Sequence, residues 1–141
     1  MANLDRYIKG EETIVRVSVA TSTTVINIGD FVALSSGLAI RMTTATSPHT
    51  LYGIAKRAHA SGDAFSEITV SIPNGTAVYR IPLDTATTFV VGNYFAKAVG
   101  SNFKLTDSDT DFIAIAVNAG TSVSYADVIL AIPDANIRDA S

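Results

Sequence analysis

"IGDFVALSSG", Ile28 to Gly37, and "VGNYFAKAVG", Val91 to Gly100, say nearly the same thing twice in one chain. Gly29 falls on Gly92, Ala33 on Ala96 and Gly37 on Gly100. The echo runs on in both directions. Val15–Gly37 aligns with Val78–Gly100, and Ser22-Thr23-Thr24 falls on Ala86-Thr87-Thr88. After a two-residue slip, Leu38-Ala39-Ile40 meets Phe103-Lys104-Leu105. Tyr52–Ala58 then meets Ile113–Ala119, and Glu67–Pro73 meets Asp127–Pro133. An ordered series of matches points to a tandem duplication, with repeats over 13–77 and 78–133. A single repeat would leave an apolar face uncovered. Two repeats can bury those faces against each other as a sandwich or a barrel.

The repeated unit reads as strand and turn. Thr13–Ala20 alternates, with Val15, Val17 and Val19 on the face expected to be buried and Ile14, Arg16 and Ser18 on the other. Ser35-Ser36-Gly37 makes a short turn between Phe31–Leu34 and Leu38–Met42. Asn74-Gly75 signals a type I′ hairpin between Glu67–Ile72 and Thr76–Ile81. Further strands are expected at Leu51–Ala58, Tyr94–Val99, Phe103–Thr106, Asp111–Asn118 and Ser124–Ile132. Only the tail, 134–141, has a stretch (Asp134–Ala140) that suits a helical turn. The expected fold class is all-β, a compact sandwich or barrel of two halves with an extended N-terminal arm, 1–12.

Composition narrows the chemistry. The chain of 141 residues has no cysteine, which removes thiolate metal sites, thiol catalysis and disulfides together. Its net charge of −3 and lack of any basic run argue against a nucleic-acid reader. No stretch approaches the ~18 apolar residues of a membrane helix. The polar start, "MANLDRYIKGEET", lacks the apolar core of a signal peptide, so the expected site of synthesis is a cytoplasm.

Motifs for catalysis are thin. His49 and His59 sit in predicted loops with no metal-ligand spacing around them, and are expected to be solvated. Asp107, Asp109 and Asp111 resemble the start of a calcium loop, but Phe112 stands where that loop needs glycine and Asn118 where it needs glutamate. Phosphate-binding glycine loops and a nucleophile elbow are missing. Asp63 and Glu67 are close in sequence but give only a weak carboxylate pair. The expectation is no enzyme, no cofactor and no metal. The arm is more suggestive: Tyr7 and Ile8 are large side chains with no counterpart in the repeat, flanked by Arg6 and Lys9. Such a segment orders when something holds it, and docking on a partner is one way to hold it.

Gly29-Asp30-Phe31-Val32, Gly37-Leu38-Ala39 and Gly53-Ile54-Ala55 together form a run of strand, turn, strand and "GIA" strand. That run resembles the small capsid decoration, or cement, proteins of tailed bacteriophages, best over residues 13–82 and through the repeat over 85–133. The doubled arrangement departs from the single copy usual in such proteins. The resemblance implies a structural protein on the outer surface of the virion, made in the host cytoplasm. Its partners would be the major capsid protein and itself, as a homotrimer, with no nucleic acid and no membrane. It assigns the capsid contact to the arm through Leu4, Arg6, Tyr7, Ile8 and Lys9. The alternative reading is a tail- or fibre-associated β domain for adhesion. That reading asks for clustered exposed aromatics, and the sequence shows no tryptophan and scattered tyrosines.

Overall fold

The structure, a computed structural model, describes residues 5–42 and 51–131. Leu4, His49 and the Asp134–Ala140 stretch lie outside the described residues. Within them the chain is all strand and turn, as its β-branched composition demands. The strands are β1 (Tyr7–Lys9), β2 (Thr13–Ser18), β3 (Phe31–Ser35), β4 (Leu38–Arg41), β5 (Leu51–Ala55) and β6 (Glu67–Ile72). They continue as β7 (Val78–Phe89), β8 (Tyr94–Lys97), β9 (Leu105–Asp107), β10 (Phe112–Ala116) and β11 (Gly120–Leu130).

Two sheets result, one from each half of the chain. The first half orders its strands β2-β6-β5-β3-β4, and a parallel bridge from Val19 to Ala39 brings its two ends together. The second half orders them β7-β11-β10-β8-β9 and closes on itself through a parallel pairing of Leu83 with Leu105. Closure hides strand edges that would otherwise invite pairing with other chains.

The registers of the two sheets correspond. Phe31, Val32 and Ala33 pair with Ile54, Gly53 and Leu51; Tyr94, Phe95 and Ala96 pair with Ile115, Ala114 and Phe112. Even the irregularity between the second and third pairs recurs. Gly29 donates to the Ala55 carbonyl at 2.9 Å, and Gly92 donates to the Ala116 carbonyl at 2.9 Å. Both glycines turn the chain with positive φ, 94° and 93°, where a side chain would be strained. The register also moves two of the sequence matches. Ala39, not Ile40, occupies the place of Leu105, and Val70, not Ile68, that of Val128. The second shift spans two residues, so every side chain keeps its face.

Val15, Val17 and Val19 face inward as expected, and Ile14 faces out. Val19, Ile26, Val32, Ile68 and Val70 fill the first half. A larger cluster joins Phe31, Met42, Leu51 and Ile54 of the first half to Tyr79, Ile81, Phe95 and Leu105 of the second. The two halves therefore share one core.

Three expectations are corrected. Asn74-Gly75 is not a hairpin turn: β6 and β7 lie in different sheets, and only Gly75 has positive φ, whereas a type I′ turn needs two such residues. Asn74 instead caps a connector, its Oδ1 accepting from the Thr76 and Ala77 amides and its Nδ2 donating to the Glu11 carbonyl. The strand after it runs to Phe89, well past Ile81; Pro82 still pairs with Tyr125, and the register shifts beyond it before Thr87 meets Val123. The arm is not free. Its residues Tyr7–Lys9 form β1 and pair with β7 at Tyr79 and Val78.

Candidate functional site

The arm is built onto both halves. On the second half, the Arg6 carbonyl accepts the Arg80 amide at 2.8 Å, continuing the β1–β7 pairing. On the first half, the Lys56 ammonium reaches Asp5 Oδ2 at 2.6 Å and Glu12 Oε1 at 3.1 Å. Burial disfavours the charge on Lys56, but its hydrogen bonds to Asp5 and Glu12 outweigh that and raise its pKa. Burial also works against the Asp5 charge, yet the bonds from Lys56 and the Tyr7 amide leave its pKa lowered. Gly10 closes the arm against the connector, where a Cβ would lie 2.1 Å from the Thr76 carbonyl oxygen.

Of the residues assigned to partner contact, Tyr7, Ile8 and Lys9 are exposed on β1. Tyr7 donates its hydroxyl to the Gly10 carbonyl, and its ring stands 5.3 Å from the Lys56 ammonium. Arg6 differs from them. Its guanidinium is half-buried over the Phe103 ring at 5.5 Å, and burial lowers its pKa while the Asp30 and Asp5 charges oppose that. Arg6 fastens the arm, and Tyr7, Ile8 and Lys9 face outward. Lys56 was invisible to sequence reasoning as a member of this group, though it is a charge where its repeat counterpart, Val117, is apolar.

The other candidates resolve as structural groups. His59 is buried, not solvated. Its Nδ1 lies 2.6 Å from the Thr24 carbonyl and its Nε2 3.1 Å from the Phe65 carbonyl. Both ring nitrogens face backbone carbonyls inside the fold, so the side chain ties Thr24 to Phe65 and is not turned towards solvent. Asp63 caps its own turn by accepting the Ala60 amide at 2.7 Å, while Glu67 is exposed at the start of β6. Asp107 accepts from Asn93 Nδ2 at 3.1 Å. Among the described residues, no group of three His, Cys, Asp or Glu side chains gathers to hold a metal. No helix among them is long and apolar enough to cross a membrane.

A depression of about 310 Å³ lies over β11, lined by Arg80, Phe89, Asn118, Tyr125 and Asp127 among others. Its charged groups pair with one another: Arg80 Nε donates to Asp127 Oδ1 at 2.8 Å, and Asn118 Nδ2 donates to Asp127 Oδ2 at 3.1 Å. An exposed and a half-buried aromatic do meet at one place that the sequence did not reveal. Tyr94 stacks on Phe112 with ring centres 4.3 Å apart. Their cross-strand proximity comes from the β8–β10 pairing and has no trace in sequence spacing.

The class defined by this architecture is an all-β protein of two matching five-stranded sheets on one core, with an N-terminal strand clamped across them. Comparison of the chain with protein-family models and with curated proteins finds no match.

Proposed function

We propose that this protein is a capsid decoration protein: a structural cement on the outer surface of a phage head, docked on the major capsid protein through β1 and self-associated as a trimer. The two matching halves fit an origin by duplication of one decoration unit. The observation that carries the reading is the clamped arm. β1 is tied to the second half by strand pairing and to the first by Lys56, and it holds Tyr7 and Ile8 outward.

A contact strand already ordered loses little entropy on docking, which favours binding by a small surface. Linked copies gain avidity from repeated weak contacts, so no single patch needs to be strong. A protein that binds the assembled lattice and not its loose subunits stabilises the lattice by mass action. Rigidity, solubility and multiplicity are what such a task needs, and a shared two-sheet core supplies the first.

The test is co-sedimentation with purified DNA-filled heads stripped of the protein. The parent chain is expected to pellet with heads, and a Tyr7→Ser, Ile8→Asp double variant to remain in the supernatant with an unchanged melting curve. Equal pelleting of the variant would remove β1 from the contact. Binding to tails or fibres instead of heads would favour the adhesion reading.

A further inference from the structure

The depression over β11 is lined mostly by residues that the first half does not share. Arg80 pairs with Asp127 across β7 and β11, in the place where Arg16 pairs with Thr69 across β2 and β6. Tyr125 pairs with Pro82, where the first half sets Glu67 against Ser18. The Val117 amide donates to the Asp127 carbonyl as the Lys56 amide does to the Thr69 carbonyl, which makes Asn118 the counterpart of Arg57. Of the polar residues at the depression, only the arginine therefore recurs in the other half. There Arg57 is turned instead onto the Phe65 ring, 3.9 Å away.

In the second half these groups converge and hold one another. Arg80 makes a fork on the carboxylate, Nε to Asp127 Oδ1 at 2.8 Å and Nη2 to Oδ2 at 3.1 Å, and its guanidinium stands 4.4 Å from the Tyr125 ring centre. Asn118 Nδ2 reaches the same Oδ2 at 3.1 Å. The Asp127 side chain is 11% exposed and that of Arg80 53%, so the carboxylate is the fixed point and the donors stand around it. Capacity remains in the other guanidinium hydrogens, the Asn118 carbonyl oxygen and the Tyr125 hydroxyl. The floor is apolar. Gly120 lies opposite Phe89, and a Cβ on it would sit 2.6 Å from Val123 Cγ2 and 2.9 Å from Phe89 Cζ, so these side chains close over bare backbone.

We propose that this depression binds an uncharged sugar, the terminal hexopyranoside of a glycan. Ions suit it poorly, because an anion drawn to Arg80 also meets Asp127, and a cation drawn to Asp127 also meets Arg80. A pyranoside carries no charge and matches both kinds of surface. Its neighbouring hydroxyls donate and accept, as Arg80, Asn118 and Tyr125 require, and its C–H face suits the Phe89 and Val123 floor. A volume of about 310 Å³ takes one or two sugar rings. The polar groups are placed by their own bonds before a ligand arrives, so little ordering is lost on binding. Each site is shallow and weak, and copies presented together gain avidity on a glycan-covered surface. This goes beyond the capsid reading and does not depend on it.

The probes are the methyl glycosides of glucose, galactose, mannose and N-acetylglucosamine, each titrated to roughly 50 mM and followed by amide chemical shifts. At least one should shift Asn118, Gly120 and Asp127 saturably, with a Kd of about 1–10 mM. Asn118→Ala and Tyr125→Ala change exposed side chains, and each should weaken that binding about tenfold with an unchanged melting curve. Four glycosides without a saturable shift overturn the proposal. So does a saturating glycoside whose affinity both variants leave unchanged. Equal shifts from glycerol would make the site indifferent to the sugar ring, and equal shifts from acetate would make it an anion site at Arg80; either result also overturns it. A chain that binds a glycoside but no heads would keep this site and remove the capsid reading. One that binds heads but no glycoside would do the reverse.

Discussion

At the scale of the residue, the junction between the halves depends on groups that are useful only in pairs. Ser71 and Tyr79 are both buried, and their hydroxyls satisfy each other across the two sheets. Burial raises the Tyr79 pKa above that of an ordinary phenol, so the ring stays neutral and able to donate. Tyr79→Phe leaves the Ser71 hydroxyl without a partner, and Ser71→Ala strands the phenol. Each single change should cost about 1–3 kcal/mol, whereas the double change should cost clearly less than their sum, because no polar group is then left unpaired. Urea unfolding of the four proteins in the cycle measures this directly, and strict additivity would mean that the hydroxyls do not depend on each other. A comparable exchange of roles links Asp30 and Asn93. Asp30 takes Arg41 Nε at 2.7 Å in the first half, and Asn93 gives its amide to Asp107 in the matching place of the second. One position thus carries an ion pair in one half and a hydrogen bond of reversed direction in the other.

At the scale of the element, β1 and the β7–β11 pair make the predictions. Gly10 has φ of +88° and no space for a Cβ beside the Thr76 carbonyl. Left-handed backbone costs a residue with a side chain about 1–2 kcal/mol. Gly10→Ala should therefore loosen the arm, speeding amide exchange at Arg80, whose N–H is held by Arg6, by about tenfold with little change in the melting of the core. Unchanged exchange at Arg80 would show that β1 is held without that turn. On β11, hydrogen bonds from Arg80 foremost, and from Asn118, hold the Asp127 pKa below its ordinary value against the effect of burial. A lowered carboxylate pKa contributes stability above the ordinary carboxylate range, and that contribution is lost as pH falls through the lowered value. The parent should lose stability as pH falls below the ordinary carboxylate range, and Asp127→Asn should flatten part of that loss, read as urea midpoint against pH. Identical acid limbs would remove the pair from the account. The strands and the glycine turns were legible in the sequence because alternation and positive φ leave local marks. The attachment of β1 was not, since Tyr7–Lys9 is too short for a period and its partner β7 is far along the chain. Asn74-Gly75 misled for the opposite reason: its local signal was strong, but its side-chain bonds run to Glu11 and Thr13, not across a hairpin. Tyr7, Ile8 and Lys9 could be named from their lack of a repeat counterpart, whereas Tyr94 and Phe112 become neighbours only once β8 and β10 pair.

At the scale of the whole molecule, the shared core makes the two halves unequal in independence. The second half closes its sheet through Leu83 and Leu105 and fills it with its own Phe89, Phe95, Leu105 and Val128. The first half has an interior of Val19, Ile26, Val32, Ile68 and Val70, but it also presents Phe31, Met42, Leu51 and Ile54 outward to the second. Those four side chains are nearly or fully buried only because the second half is there. Each large apolar side chain uncovered costs about 1.5–3 kcal/mol, a sum comparable to the entire stability of a small domain. Residues 13–77 alone are therefore expected to aggregate or remain unfolded, and to become soluble and folded when residues 78–131 are supplied in trans. Residues 78–131 alone keep their closed sheet but lose the first half's share of the common cluster and the Ser71 partner of Tyr79, so they are expected to fold with reduced stability. In the intact chain the common core should make denaturation a single transition, with circular dichroism and tyrosine fluorescence coinciding along the urea axis. Two separated transitions, or a well-folded monomeric 13–77 fragment, would mean that the Phe31, Leu51 and Ile54 face does not need its cover.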